Sequence, residues 1–173
     1  SMHAFLRARA GLVNGEVARA FLKEEVPEVD LGRLYVAGHS SAATFALLLA
    51  EHTHFVKGCV AYAPVVDLAA RVDVARQNRL RMLGLDDLFT RLSPRAGESK
   101  LNCPVFLFHA RDDAFVPFEQ TEAFADRLRS MDKPVTLELV DEGDHVESMI
   151  KQGIPRGVDW LKARDAEVRV LGK

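Results

Sequence analysis

Two cysteines, Cys59 and Cys103, are all that this chain of 173 residues holds, so no disulfide framework organises it. Cys59 lies in a predicted core strand, where a free thiol acts as a small hydrophobe. Net charge is equally scarce. Lys and Arg (23) nearly balance Asp and Glu (25), leaving a formal −2 at pH 7, which excludes the basic footprint that nucleic acid or an anionic membrane would require. No apolar run reaches the roughly 18–20 residues of a membrane span. The N-terminus is amphipathic rather than charged and then apolar, so it does not read as a signal peptide, and the cytoplasm is the default compartment. Internal repeats and low-complexity tracts are lacking too. What remains is 48% hydrophobic and 28% charged, the balance of an ordinary globular protein, and the length suits a single domain over 1–173 with a sizeable core.

Hydrophobic spacing predicts alternating helices and strands. Residues 3–25 read as an amphipathic helix with Leu6, Ala10, Val13, Val17, Ala20 and Phe21 on one stripe. Gly11 and Gly15 weaken that helix, and Pro27 ends it. A strand at 33–38 lacks strict alternation, as a parallel strand covered on both faces would. A helix follows at about 41–52, then a strand at 58–63. Residues 65–100 break the rhythm. Asp67 caps a helix running toward Leu83, a short helix lies near Asp86–Leu92, and the polar run Ser93–Glu98 follows. This insertion reads as a lid, with a solvated connector as the alternative. A strand at 105–109, a helix at 118–131 and an alternating, edge-like strand at 135–140 come next. A last helix starts near Glu147 with Ile150, Ile154, Val158 and Leu161 at helical spacing, and Pro155 forces a kink or restart. The predicted fold is α/β: a three-layer α/β/α sandwich on a mostly parallel sheet of about four strands.

Chemistry concentrates at three strand ends. Gly38-His39-Ser40-Ser41-Ala42 joins the apolar strand Leu34–Ala37 to a small-residue helix. A turn this sharp between strand and helix lifts a hydroxyl out of the sheet at a helix N-terminus, the geometry of a nucleophile elbow. The bland alternative for Ser40 is a helix N-cap. After the third strand come Asp112 and Asp113, and after the fourth comes His145 in Asp141-Glu142-Gly143-Asp144-His145. An acid orients the imidazole, and the imidazole activates a serine that is a poor nucleophile alone. Asp113 is the preferred acid and Asp112 its competitor. The order Ser40…Asp113…His145 is the serine–acid–histidine order of α/β-hydrolases. His39 reads as elbow packing and His109 as a buried strand-end residue.

With these residues in place, the chain resembles the α/β-hydrolase superfamily and, more narrowly, the catalytic domain of prolyl oligopeptidase-like peptidases and related esterases. Gly38-His39-Ser40-Ser41-Ala42, the run from Ser93-Pro94 through His109…Asp113…Val116-Pro117, and Gly143-Asp144-His145 carry the resemblance. The family's acid-loop pattern, His-Gly-x-x-Asp-x-x-Val-Pro, favours Asp113. Ala42 and Ala110 stand where the family usually has glycine. The resemblance implies a serine hydrolase that cleaves an ester or peptide bond through an acyl-enzyme, with no cofactor or metal. Its partner would be a small-molecule ester or peptide substrate. One oxyanion donor would be the Ser41 N–H; the other comes, in the family, from a loop after an early strand. That early part has no counterpart here, so the chain is expected to correspond to the C-terminal half of the fold. The strand at 33–38 would then be an open edge, prone to pairing into a homo-oligomer. The alternative implied by the same shortfall is a catalytically weak or inactive binding module, or a fragment of a longer hydrolase.

Overall fold

Val105-Phe106-Leu107-Phe108-His109-Ala110 is an unbroken apolar run but for one histidine, and all six residues are buried. Such a run belongs inside a sheet covered on both faces. In the computed structural model, which describes residues 10–71 and 86–171, it is β3 of a four-stranded sheet in the order β1-β2-β3-β4. The strands are β1 (Leu34–His39), β2 (Val56–Tyr62), β3 (Val105–Ala110) and β4 (Val135–Val140), and all three pairings are parallel. β4 is half-buried throughout, as its alternating sequence predicts for an edge. β1 forms the other edge, paired on one side with β2.

Strand residues divide between two cores. Cys59, Ala61, Val105 and Leu107 point to one face, where α2 (Ser41–His52) and α5 (Phe118–Ser130) contribute Ala43, Leu47, Phe124 and Leu128. Val60, Tyr62, Phe106 and Phe108 point to the other, against Met149, Trp160 and Leu161. Two of these belong to α6 (Ile154–Leu171), which restarts after a π-turn at Met149–Gly153. The restart expected at Pro155 is therefore present, with the proline in the first helical turn, where its missing N–H costs nothing. These are the three layers of an α/β/α sandwich.

Two helices present an unexpected face. In α1 (Ala10–Glu25) the predicted apolar stripe turns outward, with Val13 54%, Val17 61% and Phe21 57% exposed. The helix docks instead through its glycines: a Cβ on Gly11 would lie 2.7 Å from the Phe45 ring, and one on Gly15 2.6 Å from Leu49. α6 does the same. Ile150, Ile154 and Val158 are exposed, while a Cβ on Gly153 would lie 2.9 Å from Phe108 and one on Gly157 2.2 Å from the Tyr62 hydroxyl. At these crossings the glycines bring backbone against neighbouring side chains, while Leu12 of α1 and Trp160 and Leu161 of α6 still pack into the two cores.

The described parts of 65–100 run along α2, from Val65, whose N–H donates to Thr44 Oγ1 at 3.1 Å, to Gly97 beside Glu51. Asp67 caps a short 3-10 turn, Ala69–Arg71, by accepting from the Ala70 N–H at 3.0 Å; the remainder of the predicted helix, toward Leu83, lies outside the described residues. α3 (Asp86–Arg91) matches the expected short helix. The polar run after it is packed rather than solvated. Ser93, Pro94 and Gly97 are buried around α4 (Pro94–Gly97), and the buried Glu98 receives the Arg127 Nε–H at 2.8 Å. Among the described residues, no helix is long and apolar enough to cross a membrane.

Glu51, on α2, is 5% exposed, and among the described residues neither carboxyl oxygen has a hydrogen-bond partner. Burial pushes its pKa up to about 8, with Lys100 opposing and Glu98 adding to the rise. The native state thus keeps a proton that the unfolded chain releases near 4.5. The associated stability is intact at lower pH and is lost as pH climbs toward 8, at about 1.4 kcal/mol per unit. Glu51→Gln should flatten the pH dependence of the urea midpoint between pH 5 and 8. Parallel curves for variant and wild type would show that Glu51 is not protonated in the fold.

Candidate active site

The elbow is built by crowding. β1 ends at His39, and Ser40 turns into α2 with φ 56° and ψ −122°, a left-handed-side conformation that costs a non-glycine residue energy. Its backbone is held from both sides: the Ser40 N–H donates to Tyr62 O at 2.9 Å, and its carbonyl accepts from Thr44 N at 3.1 Å. Gly38 lies beneath the first turn of α2, where a Cβ would come within 2.3 Å of Ala42 O. Ser40 occupies the N-cap position, yet its side chain makes no capping hydrogen bond. The N-cap alternative for Ser40 therefore fails, since its hydroxyl is not used to close the helix. Ser41 is the first residue of α2, where N–H groups have no intrahelical partner.

The two acids of the β3 loop separate into different jobs. Asp113 is buried, and its Oδ1 accepts from the backbone N–H of Phe115 at 2.8 Å and of Val116 at 2.9 Å. Its Oδ2 lies 2.6 Å from His145 Nδ1 and 3.0 Å from His109 Nε2. Burial would raise this carboxyl, but the hydrogen bonds from His145, Val116 and Phe115 outweigh it and leave the pKa below the ordinary value. Asp112 instead holds the neighbouring loop: it accepts from Gly143 N at 3.0 Å and from Asp144 N at 2.9 Å.

That loop shapes the approach of His145. Gly143 has φ 129° and Asp144 φ 53°, and the Asp144 side chain accepts from Val146 N at 2.7 Å and Glu147 N at 2.9 Å. His145 is bonded to an ionised carboxylate through Nδ1, so that nitrogen carries the proton and Nε2 carries the lone pair. His39 binds the same residue from the elbow side. Its Nε2 donates to His145 O at 2.7 Å, and the two rings lie 4.5 Å apart. Phe115, 69% exposed, flanks His145 at 5.5 Å, and Arg71 Nη1 donates to Phe115 O at 2.5 Å.

Asp113 and His145 thus meet directly, and His39 ties the His145 loop to the elbow that carries Ser40. Three contributors escape a sequence reading: His39, assigned to packing, docks the histidine loop; His109 bonds the acid; Asp112 braces the loop. Position beside the elbow and beside the acid is the signal they share, but hydrogen-bond partners 31, 32 or 106 residues away are invisible along the chain.

Comparison with known proteins accords with this fold. No curated protein matches the chain. Among solved structures, the Pyrococcus horikoshii acylaminoacyl peptidase superposes with a TM-score of 0.66 at 18% identity, over 77% of this chain and 23% of its own. The Porphyromonas gingivalis dipeptidyl peptidase 4 gives 0.70 at 19%, over 88% of this chain and 22% of its own. The acetyl ester-xyloside bifunctional hydrolase from Caldicellulosiruptor lactoaceticus gives 0.67 at 23%, over 94% of this chain and 64% of its own. The chain therefore spans about a quarter of the two peptidases and less than two thirds of the bifunctional hydrolase. These likenesses establish the α/β-hydrolase fold. The description of the prolyl oligopeptidase family matches residues 15–164, and with that match over most of its length the chain belongs to the prolyl oligopeptidase family.

Proposed function

We propose that this chain is a serine hydrolase that cleaves an ester or peptide bond by acyl transfer, with Ser40 as nucleophile, His145 as base and Asp113 as the orienting acid. The observation that carries the reading is the 2.6 Å bond from His145 Nδ1 to Asp113 Oδ2, which leaves the other ring nitrogen basic. His145 Nε2 takes the Ser40 hydroxyl proton as Oγ attacks the substrate carbonyl. The Ser41 N–H stabilises the developing oxyanion at the start of α2. The imidazolium, held by an Asp113 that stays ionised, then returns its proton to the departing alcohol or amine, and water resolves the acyl-enzyme by the same steps in reverse.

A second reading has its own support. The edge of β1, which no strand among the described residues covers, and the outward apolar face of α1, with Val13, Val17 and Phe21 exposed, would serve a module that associates with a second copy. One experiment separates the two. A fluorophosphonate probe, applied to monomer and dimer fractions from size-exclusion chromatography, should label wild-type Ser40 and leave Ser40→Ala unlabelled. Absence of labelling in folded protein of both fractions defeats the hydrolase reading. A monomer alone, at all concentrations, defeats the association reading.

A further inference from the structure

His109 is fully buried near the end of β3, 0% exposed, and every polar atom of its ring is bonded. Nε2 faces two acceptors, Asp113 Oδ2 and the Val116 carbonyl, each at 3.0 Å. Neither can donate: one is an ionised carboxylate, the other a carbonyl. The ring proton must therefore sit on Nε2 and be shared between them. Nδ1 is then an acceptor and takes the hydroxyl hydrogen of Thr121, a residue of α5 that is 0% exposed, at 2.8 Å. One tautomer satisfies all three partners, and it is neutral. Burial lowers the pKa of His109, against the pull of Asp113, and so keeps it in that form.

We propose that His109 is a positioning residue for the Ser40–Asp113–His145 set, acting through Asp113. Its Nε2–H clasps the acid loop shut from β3 to Val116, so Asp113 cannot swing away. It also takes one side of Oδ2, leaving the other side for His145 Nδ1. The shared proton draws charge from the carboxylate and so moderates how strongly Asp113 stabilises the His145 imidazolium. A histidine with only a packing role would need neither a fixed tautomer nor a bond to the one oxygen that His145 uses. The inference rests on the proposed hydrolase reading for its purpose, but the hydrogen-bond link can be tested without turnover.

The experiment is an NMR titration of His145 in protein carrying 13C-labelled histidine. Among the described residues, the titratable or charged groups around that ring besides His109 are Asp113, His39 and Asp144, and all stay constant through the series. Removing the donor with His109→Phe leaves Asp113 with more unshared charge, so the His145 pKa should rise by about half a unit or more. His109→Gln can donate to Asp113 and accept from Thr121, and should return the value close to wild type. Thr121→Val frees the His109 ring and should raise it by less; this variant carries the test should His109→Phe not fold. An unchanged His145 pKa in folded His109→Phe, or in Thr121→Val where that variant stands in, overturns the proposal, as does a Gln variant that fails to restore it. In active protein the acid limb of kcat/KM should move with the NMR value. A wild type without ester turnover would defeat the hydrolase reading and leave the titration to judge His109 alone.

Discussion

Asp113→Asn should lower kcat toward a p-nitrophenyl ester by about 10⁴-fold, and should lower the unfolding midpoint as well, because a buried donor loses its acceptor. The reason lies in how the side chain is held. Oδ1 accepts two backbone N–H groups, from Phe115 and Val116, so the amide of an asparagine can place only its carbonyl oxygen there. Its NH2 must then point at His145 Nδ1, where the carboxylate Oδ2 now accepts at 2.6 Å. His145 would be forced into the opposite tautomer, with the proton on Nε2 and no lone pair for the Ser40 hydroxyl. His109 would meet the same NH2 with its own Nε2–H and lose its bond as well. A loss below about tenfold would show that Asp113 does not orient the base.

Among the described glycines, Gly38→Ala should add the most damaging single methyl group. The added Cβ would stand 2.3 Å from Ala42 O, 2.4 Å from Ala42 C and 2.6 Å from Ala43 N. All three are backbone atoms in the first turn of α2, so no side chain can swing aside. Relief requires moving Ser40 or the helix, at a cost of about 3 kcal/mol or more. For a chain of this size that is roughly 6–12 °C in Tm, and fluorophosphonate labelling of Ser40 should be lost with it. A Gly38→Ala protein with wild-type Tm and labelling would refute the crowded elbow. Ala42 makes the contrast. It stands where the family usually has glycine, yet it is exposed, so its methyl group meets solvent rather than backbone.

The α/β alternation, the parallel sheet and the chain order Ser40, Asp113, His145 were all legible in the sequence. β2 and β3 announce themselves as apolar runs, interrupted only by Lys57 and His109, because helices cover both faces of the sheet, and the Ser40 elbow because only small residues fit so tight a turn. The choice between Asp112 and Asp113 was legible only through resemblance. Both acids sit on one loop after one strand, and nothing local separates them; the structure shows one under His145 and the other under the Gly143–Asp144 backbone.

The outward stripe of α1 was misread for a physical reason. Periodicity scores side chains, and α1 docks partly where there are none, through Gly11 and Gly15 against Phe45 and Leu49; Gly153 and Gly157 make the same close approach to Phe108 and Tyr62, beside the packed Trp160 and Leu161. Hydrophobic pattern and turn chemistry are local properties, carried by neighbours within a few residues, so the sequence by itself determined the elements, their order and the residue types at the strand ends. The His109–Asp113 bond spans only four residues, but which face a glycine-bearing helix buries, which of two adjacent carboxylates meets the histidine, and that His39 bonds the His145 loop are long-range facts. They depend on backbone approach and hydrogen-bond direction in three dimensions, and only the tertiary structure decided them.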